Sequence, residues 1–166
     1  DWTRDESLYL QPYIQHLIQN YSAAFVQLAY AKHEANDYPT ALKYMKVAAE
    51  ISPRLEPPRQ LLGYYYLDAG DTTAAVQHYE DLLKEKPGDD ALSYRLAGVY
   101  ERMGRYKAAL DLIDPLYRKE PEAKDLSIMV FTLAARANLP DRARAYMQDW
   151  LKRHPDDAEG RQALEE

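Results

Sequence analysis

The residues that could do chemistry are few and scattered. Four histidines occur, His16, His33, His78 and His154. No two of them form an H-x-x-x-H pair, and six glycines supply no Gly-rich loop to cradle a phosphate. Two adjacent carboxylate pairs, Asp89-Asp90 and Asp156-Asp157, each lie just after a proline, Pro87 or Pro155. One helix ends there and the next begins, so a capping acid at the new N-terminus accounts for both pairs. Asn20-Tyr21-Ser22 fits the N-glycosylation pattern, but it lies in a helical stretch and such three-residue matches arise by chance. There is no cysteine, which removes disulfides and thiolate metal sites. The expectation is no enzyme, no metal and no cofactor.

The elements that hold these residues are repetitive. Pro53, Pro87, Pro121 and Pro155 are each 34 residues apart, as are Asn36, Gly70, Gly104 and Asn138, and Ala41, Ala75, Ala109 and Ala143. Three ladders sharing one period and phase signal a repeat array. The units are 22–55, 56–89, 90–123 and 124–157. Within the second, Leu62, Gly63 and Tyr66 share one helical face. Small residues at Ala29, Gly63 and Ala97 let a partner helix come close. Asn or Gly at 36, 70, 104 and 138 ends each first helix, where a left-handed residue is needed. The closing proline stops the second helix, while Pro39 and Pro140 fall in the first turn of one, where no amide bond is lost.

Leu62-Gly63, Tyr66, Ala75, Tyr79, Leu82 and Pro87 resemble the tetratricopeptide repeat (TPR), and Leu96-Ala97, Tyr100, Ala109, Ile113, Leu116 and Pro121 occupy the same places one unit on. The resemblance covers about 136 of the 166 residues. It implies an all-α, right-handed superhelical solenoid of four helix-turn-helix repeats, with an extra helix at each end.

Those extra helices are residues 1–21 and 158–166. Leu8, Leu10, Tyr13, Ile14, Leu17, Ile18 and Tyr21 follow a helical rhythm, with Pro12 near the start. This stretch either caps the first repeat or continues from a preceding domain; residues 158–166 are a cap or the start of a fifth repeat. Trp150 stands at the Ala48, Leu82 and Leu116 place and is expected to pack on that last helix. In the fourth unit Phe131 replaces the small residue and Ala134 the tyrosine, an exchange that keeps local volume. Pro115 lies inside a second helix and is expected to bend it on the solvent side.

Net charge is -6, which argues against nucleic acid, whose binding needs a basic footprint. The longest apolar run, Leu61 to Leu67, is seven residues, too short for the chain to insert in a membrane by itself. The chain starts at Asp1, not Met, and reads as a piece of something longer.

The resemblance also implies a concave groove lined by first helices, in which partners bind as extended peptides or helices. The places that face it hold Val26, Tyr30 and His33, then Gln60, Tyr64 and Leu67, then Tyr94, Glu101 and Arg102, then Ile128, Thr132 and Arg136. Tyr30, Tyr64 and Tyr94 are not needed by the repeat. They either form a binding surface, for which tyrosine is suited, or stack on neighbouring helices and finish the core. TPR proteins that grip chaperone tails use a clamp of Lys, Asn and Arg. Here its places hold Val26, Tyr30, Leu61, Ala91 and Arg95, and only Arg95 fits, so that partner class is rejected. Arg102 and Arg136 remain to meet an acidic group.

Asn20-Tyr21, Ala24-Phe25 and Leu28-Ala29 also look like the entry to the TPR tail of bacterial polytopic membrane glycosyltransferase-like proteins. That likeness implies a non-catalytic tail on the periplasmic side; without it the expected place is the cytoplasm. The expected function is a protein–protein interaction scaffold. The alternatives are the membrane-enzyme tail, packing on the rest of its own chain, and a self-associating array that forms homo-oligomers.

Overall fold

The computed structural model describes residues 12–52 and 56–165, and all its regular elements are helices. In chain order these are α1 (Pro12–Glu34), α2 (Tyr38–Ile51), α3 (Glu56–Asp68), α4 (Thr72–Glu85), α5 (Asp90–Arg102), α6 (Tyr106–Lys119), α7 (Lys124–Arg136), α8 (Pro140–Arg153) and α9 (Ala158–Glu165). Leu8, Leu10 and Pro53 lie outside the described residues, as does the side chain of Pro57.

Each first helix ends the same way. Asn36, Gly70, Gly104 and Asn138 have φ of 59°, 84°, 71° and 58°. At Gly70 the amide bonds back to the Leu67 carbonyl, and the next amide, of Asp71, bonds to the Tyr66 carbonyl. The same pair of bonds recurs at the other three sites and closes the exposed carbonyls of the last turn. The turn then delivers Asp37 and Asp71 as caps, which accept from the amides of Thr40 and Ala74. Pro39 falls in the first turn of α2, and Pro140 opens α8. Pro87, Pro121 and Pro155 each follow a second helix by two residues.

The acidic pairs are structural. Asp89 caps α5 by accepting from the Leu92 amide at 3.0 Å, and Asp90 is exposed and paired with Lys119. Asp157 accepts from the Trp150 indole at 2.8 Å and from the Gly160 amide at 3.1 Å. Those two bonds, the indole's first, hold its carboxyl below the usual carboxylate range. Ser22 of the sequon is buried and donates to the Ala48 carbonyl.

The chain packs as two compact units, residues 1–79 and 80–166. In the first, α1 packs on α2 and α2 on α3. Its core joins Ala29, Ala41, Met45, Leu62 and Tyr65. Tyr79 is fully buried, crosses Gly63 and donates to the Gln60 carbonyl at 3.1 Å. In the second unit, α5 packs on α6, α6 on α7, α7 on α8 and α8 on α9. Leu92, Leu96, Val99, Leu110, Ile113, Val130 and Leu133 fill that core.

Residues 12–21 are continuous with the first helix of the first repeat: α1 runs unbroken from Pro12 to Glu34. No proline or glycine interrupts residues 13–35, so nothing there stops a helix. Pro115 is exposed, and α6 continues through it to Lys119.

Candidate interaction surface

In the first unit the expected groove residues separate into three kinds. Tyr30 and Tyr64 are 42% and 46% exposed. Tyr30 meets the buried Tyr65 edge-on, with ring centroids 6.5 Å apart. His33 is half-buried between Tyr38 and Tyr65, and its Nε2 lies 2.7 Å from Asp68 Oδ2. Val26 and Gln60 are half-buried, and Val26 packs against the core. Leu67 is only 6% exposed and belongs to the core.

In the second unit Tyr94 and Ile128 are 49% and 50% exposed. Arg136 donates to Glu101 at 2.9 Å and lies over the Tyr106 ring at 4.9 Å, so two of the expected groove charges bond each other. Arg102 is exposed. Ile128 and Thr132 line a cleft of about 200 Å³ between α7, α8 and α9, with Phe131, Met147 and Trp150 beside them. Sequence reasoning noted Phe131 and Trp150 as departures from the repeat but did not place them here. The signal was present: two aromatics where the other units carry Ala or Gly (at Phe131) and Ala or Leu (at Trp150).

The pairs His33–Asp68 and Glu101–Arg136 join residues 35 apart, so each ties one repeat's first helix to the next one's. At such exposure each contributes a fraction of a kcal/mol to about 1 kcal/mol.

Burial also fixes the protonation of two phenols. Tyr65 is pushed up to about 12, first by burial and then by Tyr30 and Asp68 nearby. Tyr117 is pushed up to about 12 by burial first, then by its hydrogen bond to Asp149. The fold holds both as neutral phenols. Their folded values lie above the ordinary 10.0, so their contribution is complete below pH 10 and is lost as pH rises toward 12. The unfolding midpoint should therefore fall between pH 10 and 12 as tyrosinate absorbance rises. Tyr65→Phe should flatten part of that fall. An unchanged slope in Tyr65→Phe would show that this phenol does not couple to unfolding.

Residues 66–124 match the family model described as Tetratricopeptide repeat. No curated protein matches the chain in sequence. Among solved structures, MamA residues 41 to the end from Desulfovibrio magneticus RS-1 superpose with a TM-score of 0.68 at 20% identity, over 86% of this chain and 81% of that one. A MamA RS-1 double mutant gives 0.68 at 20% identity, over 86% and 80%. A tetratricopeptide repeat protein from Parabacteroides merdae ATCC 43184 gives 0.68 at 17% identity, over 86% of this chain and 57% of that one. At these identities the likeness speaks for the fold alone.

Proposed function

Starting from a fold shared with tetratricopeptide-repeat proteins, we propose that this chain is a non-catalytic protein–protein interaction scaffold whose contact residues are the exposed tyrosines of its first helices. The observation that carries this is a sorting of tyrosines. Tyr65, Tyr79 and Tyr100 are 5%, 0% and 7% exposed, whereas Tyr30, Tyr64 and Tyr94 keep more than two fifths of their surface in water. The core consumes the first group. The second offers apolar area with a polar tip and few rotatable bonds, which lowers the entropic cost of binding. A peptide, helix or domain laid against Tyr30 and Tyr64 of the first unit, or against Tyr94 of the second, would gain that area. The cleft beside Ile128 and Thr132 would take an apolar side chain. Function here is the presentation of surface held by packed helices, with no covalent step.

The test is a partner screen with the whole chain, followed by Tyr64→Ala against each protein captured. The expected result is a dissociation constant raised at least about tenfold with a melting temperature within about 2 °C of the parent. Unchanged affinity for every captured partner would remove the tyrosines from the interface. A sharp fall in melting temperature would instead make Tyr64 a core residue.

A further inference from the structure

The first helix leaves uncovered a face that the other first helices bury. Leu28 is 45% exposed, while its counterparts one, two and three repeats on, Leu62, Leu96 and Val130, are 8%, 3% and 0% exposed. Ala31 is exposed where Tyr65, Val99 and Leu133 are buried, and Ala24 is exposed where Pro58 and Leu92 are buried. This face continues toward the N-terminus of α1 as a regular seam. Ile14, Leu17, Tyr21, Ala24, Leu28 and Ala31 are spaced 3, 4, 3, 4 and 3 residues apart, and every one is exposed or half-exposed. That is the alternating spacing of two helices packed side by side as a coiled coil.

We propose that this seam pairs with the same seam of a second copy of the chain, antiparallel, to form a two-fold dimer. Two features of the helix select that occupant. Charged residues make up 29% of the chain, yet residues 12–31 contain no Asp, Glu, Lys or Arg. A two-fold contact sets residue i of one copy against residue j of the other and j against i, so a seam free of charge needs no opposite charge on its own copy. In a molecule of net charge -6, this stretch can face its own copy without charge repulsion. It also offers nothing to a partner recognised by charge.

The seam is self-complementary in size as well. Reversed about its midpoint between Ser22 and Ala23, it sets Tyr21 against the second copy's Ala24, Leu17 against its Leu28, and Ile14 against its Ala31. Two of the three layers put a large side chain on a small one, which lets helices approach closely without a void. The parallel register would stack Tyr21 on Tyr21 and leave Ala24 facing Ala24. A contact of this length falls in the small class, under about 1,200 Å² in total, so the dimer forms and dissociates with concentration. The inference stands apart from the tyrosine surface, since neither Tyr30 nor Tyr64 lies on the seam.

Sedimentation velocity on the whole chain, from micromolar to about 1 mM, reads the mass where a weak contact still associates. The expected result is a monomer–dimer equilibrium. Leu28→Glu should weaken it at least about a hundredfold by burying an unpaired charge against the second copy's Leu17, with the melting temperature unmoved because Leu28 is exposed. The chain has no cysteine, so the register can be read directly. Tyr21→Cys mixed with Ala24→Cys should form a disulfide between the two variants under mild oxidation. A monomer throughout would overturn the proposal. So would a dimer indifferent to Leu28→Glu, or one in which Ala24→Cys links mainly to itself.

Discussion

Gly63→Ala should destabilise the first unit by about 3 kcal/mol, the upper part of the range for forcing atoms into a packed core. A Cβ built on Gly63 would sit 2.3 Å from two ring carbons of Tyr79 and 2.8 Å from its hydroxyl oxygen. Tyr79 cannot swing away, since it is fully buried and its hydroxyl bonds the Gln60 carbonyl. For a chain of this size the melting midpoint should fall by about 6–12 °C. The same substitution at Gly98 is the control. A Cβ there meets nothing within 4 Å, and removing glycine from a helix interior should add about 0.5–1 kcal/mol. The neighbouring repeats suggest a rescue. Where the second repeat pairs Gly63 with Tyr79, the third has Ala97 and Ile113 at those places. Adding Tyr79→Ile to Gly63→Ala should recover most of the loss, a strong coupling of the kind contacting residues show. Equal melting of Gly63→Ala and Gly98→Ala would mean the close approach does not exist.

Trp150→Ala should cost the second unit about 3–5 kcal/mol. The indole is 6% exposed and stacks on the His154 ring with centroids 3.7 Å apart. It also donates to Asp157, whose other oxygen accepts from the Gly160 amide at the start of α9. Truncation opens a cavity and loosens that cap together. Trp150→Phe separates the two effects. It keeps an aromatic ring but drops the donor, and should cost about 1.5 kcal/mol, the value of a hydrogen bond to a charged group. Amide exchange in α9 should quicken in both variants. Unchanged exchange there would show that α9 is held without the tryptophan. Because the chain packs as two units, each variant is to be read on its own unfolding transition.

The helical frame was legible in the sequence because its causes are local. A left-handed residue must end each first helix, and only a few residue types tolerate that geometry. Asn36, Gly70, Gly104 and Asn138 therefore announce four turns. Gly88, also at φ 80°, marks a further turn that the ladders did not include. A proline cannot continue a helix, so Pro87, Pro121 and Pro155 announce three ends. Core positions follow from the same frame: Ala41, Ala75, Ala109 and Ala143 are all buried. The surface was less legible. Residues at groove places were chosen by counting, and counting cannot tell Leu67, which turns into the core, from Tyr64, which stays in water. Nor could it show that Glu101 is already bonded to Arg136.

By itself, then, the sequence determined the repeat length, the order of helices, their ends and the side chains that must be buried. Each of these rests on backbone stereochemistry or on helical period, which act over a few residues. Only the tertiary structure decided that residues 12–21 join the first helix of the first repeat, which tyrosines remain exposed, and which charges are spent on a neighbour 35 residues away. Those outcomes depend on what packs against what. The open seam on α1 is of this second kind. Its spacing can be read along the chain, but its exposure exists only because nothing in the described fold covers it.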